Sequence, residues 1–169
     1  MRRILKLVVV FTLILSVTGT GLYLLFKPAN ANVLKQTSLK ASTLTFSDLE
    51  TYLLEHPGIH HMYFCEAKNS DCEFVKNDLM VKLADEANVE VFADIESVDM
   101  STLSDEISSN ALRNAWGFSH FPAFVKYDST DGTIKLVTAL EWSSDKPFLV
   151  EDIKAWMVGG GIWHPEYTN

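Results

Sequence analysis

The stretch Ile59-His60-His61-Met62-Tyr63-Phe64-Cys65, followed after four intervening residues by Ser70-Asp71-Cys72-Glu73, decides the fold of this 169-residue chain. The first segment is short, apolar and aromatic, which is typical of a strand buried on both faces of a sheet. The second has Ser and Glu at the spacing of a capping box, which predicts that a helix opens at Ser70. Apolar residues recur at helical spacing up to about Ala87. The sequence therefore predicts a buried strand that leads directly into a long helix.

Helices and strands alternate on both sides of this junction. A capping box at Ser47 predicts a short helix that ends near His56, before the first strand. After the long helix, the pattern predicts a strand, a helix, an antiparallel hairpin of two strands and a last helix: Val89–Ile95, Thr102–Trp116, Pro122–Asp128 with Thr133–Trp142, and Pro147–Gly159. This order of elements indicates an α/β fold.

The element order resembles the thioredoxin-like fold over roughly residues 42–160. Two segments carry the resemblance: Tyr63-Phe64-Cys65 with Ser70-Asp71-Cys72-Glu73, and Trp116-Gly117-Phe118-Ser119-His120-Phe121-Pro122-Ala123-Phe124, which looks like the proline loop of that family. The resemblance implies a three-layer sandwich around a mixed sheet. It also implies a cis Phe121–Pro122 bond beside the start of the Ser70 helix.

The cysteines depart from the C-x-x-C motif of that family. Aligning Cys72 with the second cysteine places Asn69 where the first would stand, and Cys65 lies at the strand end, which gives C-x6-C. In this fold a strand end and the first turn of the next helix are close neighbours, so a bridge between Cys65 and Cys72 is expected. The bridge could serve thiol–disulfide exchange, or it could be the structural disulfide of a redox-inactive binding or accessory module. Free thiols and a metal site are the remaining alternatives.

Some features near Cys72 favour a reactive thiolate there, and others oppose it. A first-turn position in a helix, with its dipole and free amides, favours a thiolate at Cys72. The adjacent acids Asp71, Glu73 and Glu66 oppose it, because they raise the pKa of a nearby thiol. In the family, the second cysteine is the more buried one, so exchange through this pair would have to begin at Cys65, or Cys72 would have to be unusually open.

The resemblance also points to substrate contacts at the proline loop. Pro122 is expected to shape a docking groove, with Phe121 and His120 as substrate-binding neighbours. Exposed aromatic residues from Phe118 to Phe121 would form the surface of this groove, and His120 could assist proton transfer at the cysteines.

No metal site and no cofactor are expected. His60 and His61 are adjacent in a strand and point to opposite faces, so at most one can join the two cysteines. Three tryptophans are predicted to be packing groups and three acids to form a solvated surface: Trp142, Trp156 and Trp163, and Asp99, Asp105 and Glu106.

The amino terminus predicts a membrane segment. Leu7–Phe26 contains 20 uncharged residues, enough to cross a bilayer core as a helix. Arg2, Arg3 and Lys6 precede it, which favours a cytoplasmic amino terminus and an exported remainder. A cleaved signal peptide is the alternative, since Ala29-Asn30-Ala31 resembles a cleavage site.

Three parts are expected: a signal anchor over 1–27, a linker over 28–41 and a thioredoxin-like domain over 42–169. After residue 27 the chain carries 10 basic and 22 acidic residues, so it should repel nucleic acid. The expected location is the cell membrane, with a single pass and the domain outside the cytoplasm, or secreted after cleavage. The expected partner is an exported protein substrate or a membrane redox partner, in a compartment that permits disulfides.

Overall fold

A computed structural model of the chain describes residues 38–103 and 107–163. The predicted membrane segment Leu7–Phe26 lies outside these residues, and so do Asp105 and Glu106. Within the described ranges, no helix combines the length and the apolar character needed to cross a membrane.

Five strands form one mixed sheet. Their order across the sheet is β1-β3-β2-β4-β5, and the first three run parallel, whereas β4 is antiparallel to β2 and β5 is antiparallel to β4. The strands are β1 (Leu44–Thr45), β2 (Ile59–Cys65), β3 (Ile95–Asp99), β4 (Ala123–Asp128) and β5 (Lys135–Glu141). The predicted buried strand is confirmed as β2, the central strand, and the predicted hairpin is confirmed as β4 and β5.

Four helices flank this sheet in the described part of the chain. The long helix predicted from Ser70 is continuous, with a π-helical segment in its middle. The helices are α1 (Leu49–Glu55, after a 3-10 turn Phe46–Asp48), α2 (Ser70–Phe74, Val75–Leu79 and Met80–Ala87), α3 (Ser109–Trp116) and α4 (Val150–Gly160). Another 3-10 turn, Met100–Thr102, follows β3.

The central strand β2 is buried on both faces of the sheet, and its successive side chains point to opposite sides. Tyr63 of β2 packs in one hydrophobic cluster with Leu83 of α2 and Met157 of α4. Its neighbour Phe64 packs in a second cluster with residues of α1 and α3, such as Leu112. The result is a three-layer α/β/α sandwich whose strand order confirms the thioredoxin-like fold.

The tryptophans predicted to be packing groups are buried. Trp142, Trp156 and Trp163 all belong to the cluster on the α2 and α4 face of the sheet. Trp156 contacts Phe124 of β4 and His61 of β2 through its ring. These three tryptophans therefore complete the hydrophobic core on the side of the sheet that α2 and α4 cover.

Several boundaries predicted from the sequence are wrong. The last helix begins at Val150 and not at Pro147. The strand predicted at Val89–Ile95 lies at Ile95–Asp99, and Phe92 makes only a single bridge to Leu39. The helix predicted from Thr102 begins at Ser109, because the Ser108 side chain caps it by accepting a hydrogen bond from the Ala111 amide. The capping box predicted at Ser47 is absent, since a 3-10 turn occupies that position before α1.

Candidate functional site

A disulfide joins the end of β2 to the first turn of α2. Cys65 is the last residue of β2, Cys72 lies in the first turn of α2, and their Cα atoms are 5.7 Å apart. Both expected positions and the pairing itself are confirmed. The bridge closes a tight loop at the junction that decides the fold.

Asn69 holds the start of α2. Its side-chain Oδ1 accepts hydrogen bonds from the backbone N–H groups of Asp71 (3.0 Å) and Cys72 (3.1 Å). The predicted cap at Ser70 is therefore wrong by one residue: Asn69 is the N-cap, and Ser70 is the first helical residue. The residue that stands in place of the family's first cysteine has a structural role here. Because the Asn69 side chain already accepts the hydrogen bond of the Cys72 backbone N–H, that N–H is not free to stabilise a thiolate.

Replacing Asn69 by Ala is expected to lower the free energy of unfolding by about 1 kcal/mol, because two amides lose their acceptor. Asn69→Asp is the matched control and should be close to wild type, since Asp also caps helices. Urea denaturation followed by circular dichroism measures both variants. Equal stability of the Ala variant and the wild type would contradict the capping role.

The two cysteine residues differ in their exposure to solvent. Cys72 is only 1% exposed, whereas Cys65 is partly exposed. Beneath the bridge, the hydroxyl of Tyr63 donates a hydrogen bond to the carbonyl oxygen of Cys72 (3.1 Å), and burial raises the pKa of this hydroxyl. This arrangement fixes Cys72 against the core and leaves Cys65 as the accessible end of the disulfide.

The charged residues around the bridge are mostly acidic. Glu66 and Asp71 are partly exposed and Glu73 is exposed, as is the single cation of the connecting loop, Lys68. Lys68 adopts a left-handed backbone conformation (φ 72°) in the turn that returns the chain to α2. Around the bridge, three acidic side chains therefore outnumber the single cation of the loop.

The proline loop lies beside the cysteines. The Phe121–Pro122 bond is cis, as the resemblance implies. Phe64 pairs with Ala123 across β2 and β4, so the next register position places Pro122 opposite Cys65. Pro122 is buried, and its carbonyl oxygen accepts a hydrogen bond from the amide of Trp142 (3.0 Å). The fold thus brings the predicted proline and the disulfide to the same end of the sheet, on the neighbouring strands β2 and β4.

The aromatic residues of this loop are not all exposed, contrary to expectation. Phe118 is completely buried, and its ring packs against that of Phe64 at a tilt of 39°, with a centroid distance of 4.5 Å. Phe121 is partly buried and packs against the same cluster on the α1 and α3 face. A partner surface at this loop can use part of Phe121, but it cannot use Phe118.

Glu141 organises the proline loop and was not identified from the sequence. Its carboxylate accepts hydrogen bonds from the amides of Ser119 (2.7 Å) and His120 (3.3 Å). Arg113 lies 3.5 Å from the same carboxylate and also donates to the Ser119 hydroxyl. The carboxylate thus ties the end of β5 to the loop and to α3.

His120 is directed to Glu141. The histidine side chain is 61% exposed, and its Nδ1 lies 3.7 Å from the Glu141 carboxylate. A role in proton transfer at the cysteines stays a prediction, as does substrate contact by His120, Phe121 and Pro122.

His60 and His61 point to opposite faces, as predicted from their adjacent positions in a strand. His60 lies against the Glu96 carboxylate (3.2 Å) and the carbonyl oxygen of His56 (2.6 Å). His61 lies against the carbonyl oxygen of Gly160 (3.0 Å), and burial lowers its pKa. Both rings are used in packing. The described residues contain no group of three or more His, Cys, Asp or Glu side chains arranged to hold a metal ion.

Comparison with solved structures finds thioredoxins. Trichomonas vaginalis thioredoxin is 18% identical (TM-score 0.41), and the match covers 69% of this chain and 95% of that one. A thioredoxin pre-protein from Schistosoma mansoni is 13% identical (TM-score 0.42; 72% and 95% covered), and oxidized thioredoxin O2 from Arabidopsis thaliana is 14% identical (TM-score 0.41; 73% and 94% covered). No protein-family model and no curated protein matches the chain.

Proposed function

We propose that this chain is a thiol–disulfide exchange protein in which Cys65 is the attacked sulfur and Cys72 is the leaving group. The observation that carries the proposal is the unequal exposure of the two cysteine residues: Cys72 is 1% exposed, whereas Cys65 is partly exposed. Exchange requires a thiolate to reach one sulfur of the bridge along the sulfur–sulfur axis. Of the two cysteines, Cys65 is the one that is partly exposed, which supports attack at its sulfur.

The exchange step balances without a cofactor. An incoming thiolate forms a bond to Cys65 Sγ, the Cys65–Cys72 bond breaks, and its electron pair goes to Cys72 Sγ. The new thiolate lies in the first turn of α2, where the helix dipole favours negative charge. In the reverse direction, the Cys72 thiolate attacks Cys65 Sγ of the mixed disulfide, the Cys65–Cys72 bridge forms again, and the other thiol leaves as a thiolate.

A second candidate function is a binding or accessory module in which the bridge is structural. The burial of Cys72 favours this alternative, because a buried sulfur is protected from direct attack. The position of Asn69 also favours it, since a helix cap occupies the place of the family's first cysteine. The two candidates differ in whether Cys65 reacts with thiols.

The proposed location is the outer side of the cell membrane, with Leu7–Phe26 as a single-pass anchor. The uncharged length of this segment supports the proposal, together with the preceding Arg2, Arg3 and Lys6. A disulfide is consistent with an oxidising compartment. The proposed partner is an exported protein with cysteines, or a membrane protein that renews the redox state of the pair.

The reduction potential of the Cys65–Cys72 pair separates the two candidates. The full-length chain, in detergent micelles, is equilibrated in glutathione buffers, alkylated and weighed by mass spectrometry. A potential between roughly −120 and −270 mV is expected for an exchange protein. A potential below about −300 mV would instead identify a structural bridge and overturn the proposed exchange.

Two single-cysteine variants test which sulfur reacts. The Cys72→Ser variant, with Cys65 alone, is expected to form a mixed disulfide with oxidised glutathione at least about tenfold faster than Cys65→Ser, since reaction follows access to the sulfur. Circular dichroism of both variants controls for folding. Equal rates in two folded variants would contradict the assignment of Cys65 as the attacked sulfur.

A further inference from the structure

A cavity of about 170 Å³ opens beside Cys65. It lies at the end of the sheet, between β2, β3 and α2, and its walls include Cys65, Tyr63, Ser97, Asp99 and Lys76. Tyr63 and Cys65 share one face of β2, and their partners Ser97 and Asp99 share that face of β3. The cavity therefore lies on the face of the sheet that α2 covers.

This cavity offers a second approach to the disulfide, separate from the proline loop. Cys65 pairs with Asp99 of β3 on one side, while the register across β4 places Pro122 on the other. The cavity is lined from the β3 side, and the described residues that line it include neither Pro122 nor Phe121. A molecule in the cavity can reach Cys65 while a protein partner contacts the proline loop.

The polar groups of the cavity already have partners, with one exception. Both carboxylate oxygens of Asp99 accept hydrogen bonds from Ser101, at 2.9 and 2.7 Å. The Ser97 hydroxyl donates to the carbonyl oxygen of Lys40, and the Tyr63 hydroxyl donates to that of Cys72. Lys76 is the one cation among the described residues of the wall.

Within residues 38–103 and 107–163, the Lys76 ammonium group has neither a hydrogen bond nor an ion pair, so it is available to an anion. The size of the cavity restricts that anion. Sites for drug-sized ligands begin at about 300 Å³, so this one suits a smaller molecule. A molecule that reacts with Cys65 and is attracted by a lysine carries a thiol and a negative charge.

We propose that this cavity binds a low-molecular-weight thiol with a carboxylate, placing the carboxylate at Lys76 Nζ and the sulfur at Cys65 Sγ. The inference rests on the proposed exchange function and names its small reductant. The thiolate forms a bond to Cys65 Sγ, and the electron pair of the broken bridge goes to Cys72 Sγ, which takes up a proton. A second molecule of the same thiol attacks the mixed disulfide, forms its own symmetrical disulfide and leaves Cys65 reduced.

Alkylation of Cys65 tests the charge preference of the cavity without requiring exchange. In the full-length Cys72→Ser variant, Cys65 reacts with iodoacetate, an anion, or with iodoacetamide, which is neutral. Adding Lys76→Gln is expected to lower the iodoacetate-to-iodoacetamide rate ratio about fivefold, the effect of one close charge pair in a solvated site. The ratio cancels any change in the thiolate fraction. Lys82→Gln, at an exposed position of α2, is the matched control and should leave the ratio unchanged.

Reduction of the wild-type disulfide provides the second measurement. Rates are compared for 3-mercaptopropionate, 2-mercaptoethanol and cysteamine at equal thiolate concentrations, with and without Lys76→Gln. A preference for 3-mercaptopropionate that disappears in Lys76→Gln supports the inference. Reduction by all three thiols with the same preference in both proteins would overturn the cavity site and leave the exchange function intact. No reduction by any of them would overturn the exchange function and this inference together.

Discussion

Reduction of the Cys65–Cys72 bridge is expected to lower the free energy of unfolding by about 2.5 kcal/mol. The disulfide joins residues seven apart and closes a loop of about eight residues. Such a cross-link removes conformations from the unfolded chain, and the chain-entropy relation gives about 2.5 kcal/mol for this loop length. This is a substantial part of the roughly 5–15 kcal/mol that holds a domain folded.

Urea denaturation of the full-length chain in micelles, with and without a phosphine reductant, measures this effect. The Cys65→Ala/Cys72→Ala double variant separates the cross-link from the reductant, because its stability should not respond to the phosphine. It should lie somewhat below the reduced wild type, since truncating the buried Cys72 side chain leaves a small cavity. A wild-type protein that loses less than about 0.5 kcal/mol on reduction would contradict the expectation.

The stability measurement also bears on the proposed function, because folding and the disulfide are thermodynamically coupled. The free energy by which the bridge stabilises the fold equals the free energy by which the fold stabilises the bridge. About 2.5 kcal/mol corresponds to a reduction potential about 50 mV lower in the folded chain than in the unfolded one. A much larger effect on stability would move the pair toward the range of structural disulfides.

The parts of the fold that could be predicted from sequence are those that depend on residues within the element itself rather than on distant partners. Strand β2 is short and mostly apolar or aromatic, and the β4–β5 hairpin is marked by the turn at Gly132, which has a positive φ of 77°. Strand β3 was misplaced because Glu96 and Ser97 look like loop residues. In the fold, Glu96 accepts a hydrogen bond from the Tyr52 hydroxyl and lies against His60. The polar side chain of Glu96 thus has its partners on α1 and β2. These partners are distant in sequence, so the local pattern around β3 does not reveal them.

The same distinction applies to the site. Cys65, Cys72 and Pro122 could be placed from motif spacing together with the family resemblance, because each lies at a junction between elements. Glu141 could not, since the amides that it binds belong to residues about 20 positions earlier in the chain. Lys76 also could not, because in the sequence it is one of several lysines along a helix, and only the fold places it at the cavity beside Cys65.

Replacing Phe118 by Ala is expected to lower the free energy of unfolding by about 3–5 kcal/mol, the largest effect of any substitution considered for the proline loop. The ring is 0% exposed and contacts Phe64 of the central strand, within the cluster that α1 and α3 cover. Its removal would leave a cavity between the loop and the sheet. Thermal and urea denaturation measure the loss, and a variant within about 1 kcal/mol of wild type would show that the loop does not depend on this anchor.

Phe121→Ala is the matched comparison, because the two rings belong to the same loop but differ in burial. Phe121 is partly exposed, so its truncation is expected to cost only about 1–2 kcal/mol. If Phe121 contacts a protein substrate, this folded variant should slow exchange with a protein disulfide and leave the rate with glutathione unchanged. An equal loss with both substrates would instead mean that Phe121 supports the geometry of the disulfide. The two variants thus distinguish Phe118, which stabilises the loop, from Phe121, which is exposed enough to contact a partner.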